Sequence, residues 1–263
     1  MGFADSHCHI DLPDFDADRD KVLEAALALS VNKILVPGLS LSRMDKLLSL
    51  KRRYEMLDIC AGFHPYFLHE IKPSVWPQYL DKMTAFIAQH RQHISAIGEC
   101  GLDGSIDIPM AFQIEVLHAQ FELARRFLLP IVLHHRQSHN ELIRMIKQAK
   151  HQHRGVIHAF SGSQQIAQTY IDLGFYLGIG GTITYPRGKK TRDAIVDIDL
   201  KHLLLETDAP DMPLCGFQGQ RNSPTQLPKV ASALAELKGI SRDEVGQVTS
   251  NNYKSLLSSG SIS

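Results

Sequence analysis

The sequence lacks the features that define several common protein classes. Its four cysteines, Cys8, Cys60, Cys100 and Cys215, are scattered without a CxxC pair. That spacing excludes a disulfide-framed fold and predicts free thiols in a reducing cytoplasm. No apolar run approaches the ~18 residues of a membrane helix. The first residues carry no basic segment followed by an apolar stretch, so a soluble cytoplasmic protein without a secretory signal is expected. Charge of one sign is also missing. The 28 Lys+Arg balance 28 Asp+Glu, for a formal net charge of +0, which leaves no global basic field to grip a long polyanion. No repeat and no linker divides the chain, and its 263 residues suit one large α/β domain over positions 1–263. A monomer is expected.

Histidine is what the chain has in abundance, with 14 in all. Two of them stand in Asp5-Ser6-His7-Cys8-His9, at the end of a short apolar run. On an extended backbone residues i and i+2 face one side. His7 and His9 can therefore reach one metal ion from the end of one strand, with Asp5 close enough to act as an outer carboxylate. A pair of this kind is as readily a satisfied pair of core residues. The choice depends on whether other ligand types recur at matching positions.

Hydrophobic periodicity predicts a regular alternation of strands and helices. Strands are expected at 3–7, 32–38, 57–61, 93–98, 130–133, 155–157, 175–179 and 202–207. Helices are expected at 16–29, from 42, at 76–90, 109–128, 138–150, 164–173, 192–196, 226–237 and 243–257. Residues 258–263 should fray. The Pro/Gly-rich run 211–224 is too long for a plain connection and suggests a lid or a substrate loop. Eight strand-then-helix units predict a single (β/α)8 TIM barrel, whose strands deliver their C-terminal ends to one mouth. His7, His9, Glu99, His134, His158 and Asp208 all stand at such ends. Taken singly, each has a dull explanation in the core or in a turn; jointly, they point to a metal centre.

The motifs at those ends are Asp5-Ser6-His7-Cys8-His9, Gly62-Phe63-His64-Pro65, Gly98-Glu99-Cys100-Gly101-Leu102-Asp103, Leu133-His134-His135-Arg136, His158-Ala159-Phe160-Ser161-Gly162 and Leu205-Glu206-Thr207-Asp208-Ala209-Pro210. Together they resemble the TatD-related deoxyribonucleases of the metal-dependent amidohydrolase superfamily over essentially the whole chain. The runs at 180–186 and 208–213 further resemble a YjjV-like branch. Cys100, His135 and Gly104 depart from the family pattern and bear on substrate preference. The resemblance implies two divalent ions, whether Zn, Mn, Ni, Fe or Mg. His7, His9 and Asp208 would hold one, His134 and His158 the second, and Glu99 would bridge them. Such a pair can share a hydroxide and neutralise the charge that builds on a phosphoryl group. Asp208, with Glu99, is then the catalytic candidate, placed to take the proton of the nucleophilic water. His64 and Arg136 are the candidates to hold the phosphate.

Several residues keep two readings. Glu206 is either a mouth residue or a salt-bridged barrel residue. Arg187, Lys189, Lys190 and Arg192 form either a solvated face or a surface that steers a polyanion. Tyr185 and Phe217 either stack on bases or anchor loops. His90, His93, His118, His139, His151, His153 and His202 fall on helices or junctions, where no ligand role is expected. Three function classes remain: a phosphodiesterase acting on nucleic-acid ends, DNA foremost; a small-molecule amidohydrolase or esterase with the same two-metal site; and a catalytically weak metal-binding protein.

Overall fold

Eight short aliphatic and β-branched runs become parallel strands, namely β1 (Phe3–Asp5), β2 (Val31–Val36), β3 (Leu57–Ala61), β4 (Ile94–Asp103), β5 (Ile131–Arg136), β6 (Gly155–Ile157), β7 (Phe175–Ile179) and β8 (Leu203–Leu205). They pair in sequence order, and Asp5 opposite Leu205 closes β8 onto β1 as a closed barrel. The crossovers carry α1 (Arg19–Ala28), α2 (Met44–Arg53), α3 (Trp76–Gln89), α4 (Met110–Phe127), α5 (His139–Gln148), α6 (Gln164–Asp172) and α7 (Lys189–Asp197). After β8 come α8 (Leu227–Lys238) and α9 (Arg242–Leu257). This computed structural model describes residues 2–149 and 154–258. The expectations for Lys150, His151, His153 and the tail beyond Ser258 lie outside the described residues.

Side chains alternate across each strand, so one set faces the helices and the other the barrel axis. Ala4, Cys60, Ala96, Val132, Val156 and Leu204 form one buried inner layer, closed by Tyr253 and Leu256 of α9. Two positions further along come His134 after Val132, His158 after Val156 and Glu206 after Leu204. The period of two that fixes the apolar floor thus also aims the polar residues at the mouth, the end where barrel enzymes carry their chemistry.

The strand bounds of β3, β6 and β7 match the expected ones. The fourth strand differs most: it runs on to Asp103, with Glu99 inside it. Its ladder to β5 slips between Ile97↔Ile131 and Cys100↔Leu133, so three steps on β4 face two on β5. A bulge of this kind re-aims a side chain without ending the strand. Gly98 sits in it at φ +140°, where a Cβ would lie 2.7 Å from the Val132 carbonyl oxygen, so only glycine fits. Among the described residues all four cysteines are free, and no helix is long and apolar enough to cross a membrane.

Candidate metal centre

His7 and His9 lie just beyond β1 rather than on it. The Cys8 N–H donates to the Leu35 carbonyl (3.1 Å) and the His9 N–H to Ala209 (2.8 Å), which fixes this irregular segment between β2 and the loop after β8. Both imidazoles are buried, and their Nε2 atoms come within 3.3 Å of each other. Asp208 enters from the other side. Its N–H donates to the His7 carbonyl (2.8 Å), and its φ of 55° is a left-handed conformation that Asp tolerates better than most residues. That turn places Asp208 Oδ1 3.6 Å from His7 Nε2 and 3.7 Å from His9 Nε2.

Glu99 is the hub. Its Oε2 lies 3.0 Å from His7 Nε2 and 3.6 Å from His9 Nε2, while Oε1 lies 2.9 Å from His158 Nε2 and 3.1 Å from His134 Nδ1. The His7 and His158 rings are stacked at 3.9 Å. All six predicted ligand residues therefore converge, one oxygen of Glu99 toward each subset. Despite these short distances, Glu99 Oε2 has no hydrogen-bond partner among the described residues. Buried polar atoms that approach each other without bonding geometry are costly, and they suit a cation placed between them. The donor set, mixed imidazole and carboxylate, fits a divalent transition metal.

His64 reaches the same cluster, with Nε2 3.1 Å from Glu99 Oε1. Proximity alone would make it a ligand, but its other nitrogen decides otherwise. Nδ1 accepts from the backbone N–H of Tyr66 (3.0 Å). A backbone amide can only donate, so in neutral His64 the proton sits on Nε2, which then donates and cannot ligate. Burial lowers the His64 pKa below its ordinary value and favours that neutral form. His134 shows the opposite arrangement: its Nε2 lies 3.3 Å from Asp103 Oδ2, which turns Nδ1 toward Glu99 Oε1 at 3.1 Å. Metal-binding imidazoles commonly have this outer carboxylate. The Asp103 role was missed in the sequence although Asp103 stood in the motif; its spacing to His134 depends on the β4–β5 register.

Two expectations need revision. The Asp5 carboxylate does not touch an imidazole; it accepts from Thr207 N (3.0 Å), Thr207 Oγ1 (2.6 Å) and the His7 backbone N–H (3.3 Å). It clips β1 to the segment that follows β8, and burial lifts its pKa to about 7. Among the described residues Glu206 pairs with no Lys or Arg. It lies fully buried behind the cluster, accepting from the Ala159 N–H and from Ser6 Oγ (3.4 Å), 3.9 Å from His158 Nδ1. Burial raises it to about 8. Gly178 makes room for it, since a Cβ there would collide with Glu206 Oε2 at 2.1 Å.

Arg136 ends β5, two residues from His134 and thus on the same face, with an exposed side chain and no ion pair among the described residues. The 211–224 loop is tied down: Asn222 Nδ2 donates to the carbonyls of Thr207 (2.8 Å), Asp211 (2.9 Å) and Met212 (3.2 Å), and Arg221 pairs with Asp18 at 2.7 Å. These bonds oppose the lid reading. Phe217 carries the Lys229 ammonium over its ring at 4.1 Å, as a loop anchor would. His139 bonds Tyr170 Oη (3.0 Å) and the Ser161 carbonyl (2.9 Å), away from the centre, and its ring lies tilted against that of His135 with centroids 4.2 Å apart.

The sequence profile described as TatD related DNase matches residues 4–258. The chain is 40% identical over 255 residues to the Escherichia coli K12 protein named an uncharacterized metal-dependent hydrolase, YjjV, covering 97% of both chains. The crystal structure of YjjV, described as a TatD homolog, superposes with a TM-score of 0.91 over 97% of both chains. The human protein named deoxyribonuclease TATDN3 is 31% identical over 261 residues, covering 96% of this chain and 93% of its own.

Proposed function

The chain belongs to the TatD-related DNase family, and from that premise we propose that this metal-dependent hydrolase cleaves phosphodiester bonds at nucleic-acid ends, DNA foremost, with two divalent ions. The observation that supports it best is the Glu99 carboxylate, whose two oxygens face two different sets of imidazoles. His7, His9 and Asp208 would hold one ion, His134 through Nδ1 and His158 through Nε2 the other, and Glu99 both. Bound ions of this kind supply a water of lowered pKa and positive charge against the reacting phosphoryl group. Around them, Asp208 accepts the proton of the attacking water. His64 turns its Nε2–H from Glu99 to a non-bridging phosphate oxygen, and Arg136 pairs with the same phosphate or its neighbour. The reading takes residues 1–263 as one catalytic unit acting as a cytoplasmic monomer, the compartment that free thiols favour.

The test is a screen of end-labelled single-stranded DNA and RNA, closed circular DNA and small esters, each with and without chelator. Linear DNA should be trimmed from its ends, circles should survive, and chelation should abolish cleavage. Turnover of small esters with no oligonucleotide cut would put the amidohydrolase reading in its place.

Two expectations follow for loading. Burial would lower His7, but the carboxylates of Glu99, Asp208 and Glu206 together outweigh it and raise His7 to about 9. In the same way, hydrogen bonds to Asp103 and Glu99 overcome burial and raise His134 to about 9. At pH 8 both imidazoles therefore hold a proton in the metal-free protein, and ligation must displace it. Titration calorimetry in two buffers of different ionisation enthalpy should read a release of about two protons. Apparent affinity should weaken as pH falls below 9. Loading without proton release would mean that His7 and His134 are already neutral in the metal-free site. Second, Asp103→Asn deprives the His134 Nε2–H of its charged acceptor and should weaken the ion at His134 and His158 by about 10- to 100-fold. An unchanged competitive-chelator titration would refute that role.

A further inference from the structure

Beside the mouth, between the loops that follow β7 and β8, lies a cavity of about 380 Å³ that contains no ligand-type residue. Thr182, Tyr185 and Arg187 line it from one loop, Met212 and Pro213 from the other. We propose that it is a nucleotide subsite: it takes the nucleotide unit next to the scissile phosphodiester, with its base packed on Tyr185 and its phosphate on the Arg187 guanidinium. The assignment rests on the phosphodiesterase reading above for its place in the reaction.

The cavity is built rather than incidental. The Tyr185 hydroxyl donates to the Pro213 carbonyl at 2.6 Å, joining the two loops and fixing the ring. Two glycines let the walls close: a Cβ at Gly181 would lie 2.7 Å from the Met212 carbonyl oxygen, and one at Gly188 2.7 Å from that of Thr182. The Arg187 guanidinium sits 4.8 Å over the Tyr185 ring. This stacking orients a planar donor fork without using its N–H groups.

Charge selects the ligand. Of the other basic residues in this segment, Lys189 is paired with Asp193, Arg192 donates to the Ile183 carbonyl, and Lys190 is not in the cavity lining. Arg187, by contrast, makes no hydrogen bond or ion pair among the described residues and is exposed, and no carboxylate lines the cavity. An uncommitted guanidinium beside an aromatic face matches a group with one anionic and one flat apolar part. A nucleotide has both, and aromatic stacking accepts any base. The volume falls in the range of small-ligand sites, roughly 300–1,000 Å³. Met212 stands four residues beyond Asp208, so at full extension the cavity wall is at most ~14 Å from the metal ligand, within reach of one substrate strand.

Two measurements test this on the full chain. The first is binding of thymidine 5′-monophosphate in EDTA, with thymidine and inorganic phosphate as single-part probes. Wild type should bind the nucleotide better than either part. Arg187→Ala and Tyr185→Leu should each weaken it about tenfold, with thermal unfolding confirming that both variants fold. The second is turnover. Arg187→Ala should raise KM for single-stranded DNA about tenfold at unchanged kcat, and leave bis(p-nitrophenyl) phosphate, which has no second nucleotide unit, unaffected. Equal binding of phosphate and nucleotide would overturn the assignment, as would equal losses on both substrates. If DNA is cut and Arg187→Ala is silent, the subsite falls and the phosphodiesterase reading stands. If the nucleotide binds through Arg187 but no oligonucleotide is cut, the phosphodiesterase reading falls and the site remains as a nucleotide site.

Discussion

Glu99→Gln should leave a folded barrel that retains neither ion after dialysis. The substitution keeps the volume and both polar atoms of a side chain that is almost wholly buried, so packing around it barely changes. What it removes is the one charge that faces His7 and His9 through Oε2 and His134 and His158 through Oε1. Removing one partner of a buried charged group costs about 3–5 kcal/mol, which is two to nearly four decades in affinity for an ion held there. Metal analysis after exhaustive dialysis, beside a melting curve in chelator, reads both parts. Retention of two ions would show that Glu99 bridges nothing, and retention of one would assign it to a single position. A metal-free melting temperature far below wild type would mean that its charge serves the fold.

How much of this centre could be read from the sequence depends on how local each cause is. His134, His158 and Glu206 follow inward-facing apolar residues by two positions, so strand alternation alone puts them toward the mouth. Glu99 could be named as a strand-end residue only by truncating β4 at Gly98; the bulge that keeps the strand going is a property of its register with β5. His7 and His9 converge as expected, but through bonds to Leu35 and Ala209 across the barrel rather than through a shared strand face. The start of α7 at Lys189 was invisible to hydrophobic periodicity because its first turn holds only Lys189, Lys190, Thr191 and Arg192. The roles of Asp103, Asp5 and Asn222 share one obstacle. Each acts on a partner in another strand or loop, Asp5 across 202 positions to Thr207, and no local spacing carries that information.

Asp208→Asn should produce the largest loss in turnover. Two properties meet at this carboxylate. Its Oδ1 stands beside both imidazoles of the first subset, and it is the one carboxylate there that retains appreciable side-chain exposure, 14% against 2% for Glu99. It can therefore meet a water that Glu99 cannot. Burial is the larger influence on its acidity and, against the pull of His7, raises it to about 7 in the metal-free site. A cation bound there would lower that value again, and the ionised carboxylate supplies both a negative charge to the ion and an acceptor for a proton. The amide does neither, and its loss as general base alone is worth roughly 10²–10⁴ in kcat, about 3–5 kcal/mol of barrier. Arg136→Ala is the comparator. Its side chain ends on the same face as His134 but touches no ligand, so it should raise KM and spare kcat. The decisive measurement is kcat at saturating DNA and metal, with occupancy checked in the same samples. If Asp208→Asn keeps its metal and its kcat, proton transfer belongs to another group. If Arg136→Ala lowers kcat instead, the two residues exchange roles, and the phosphate is held elsewhere.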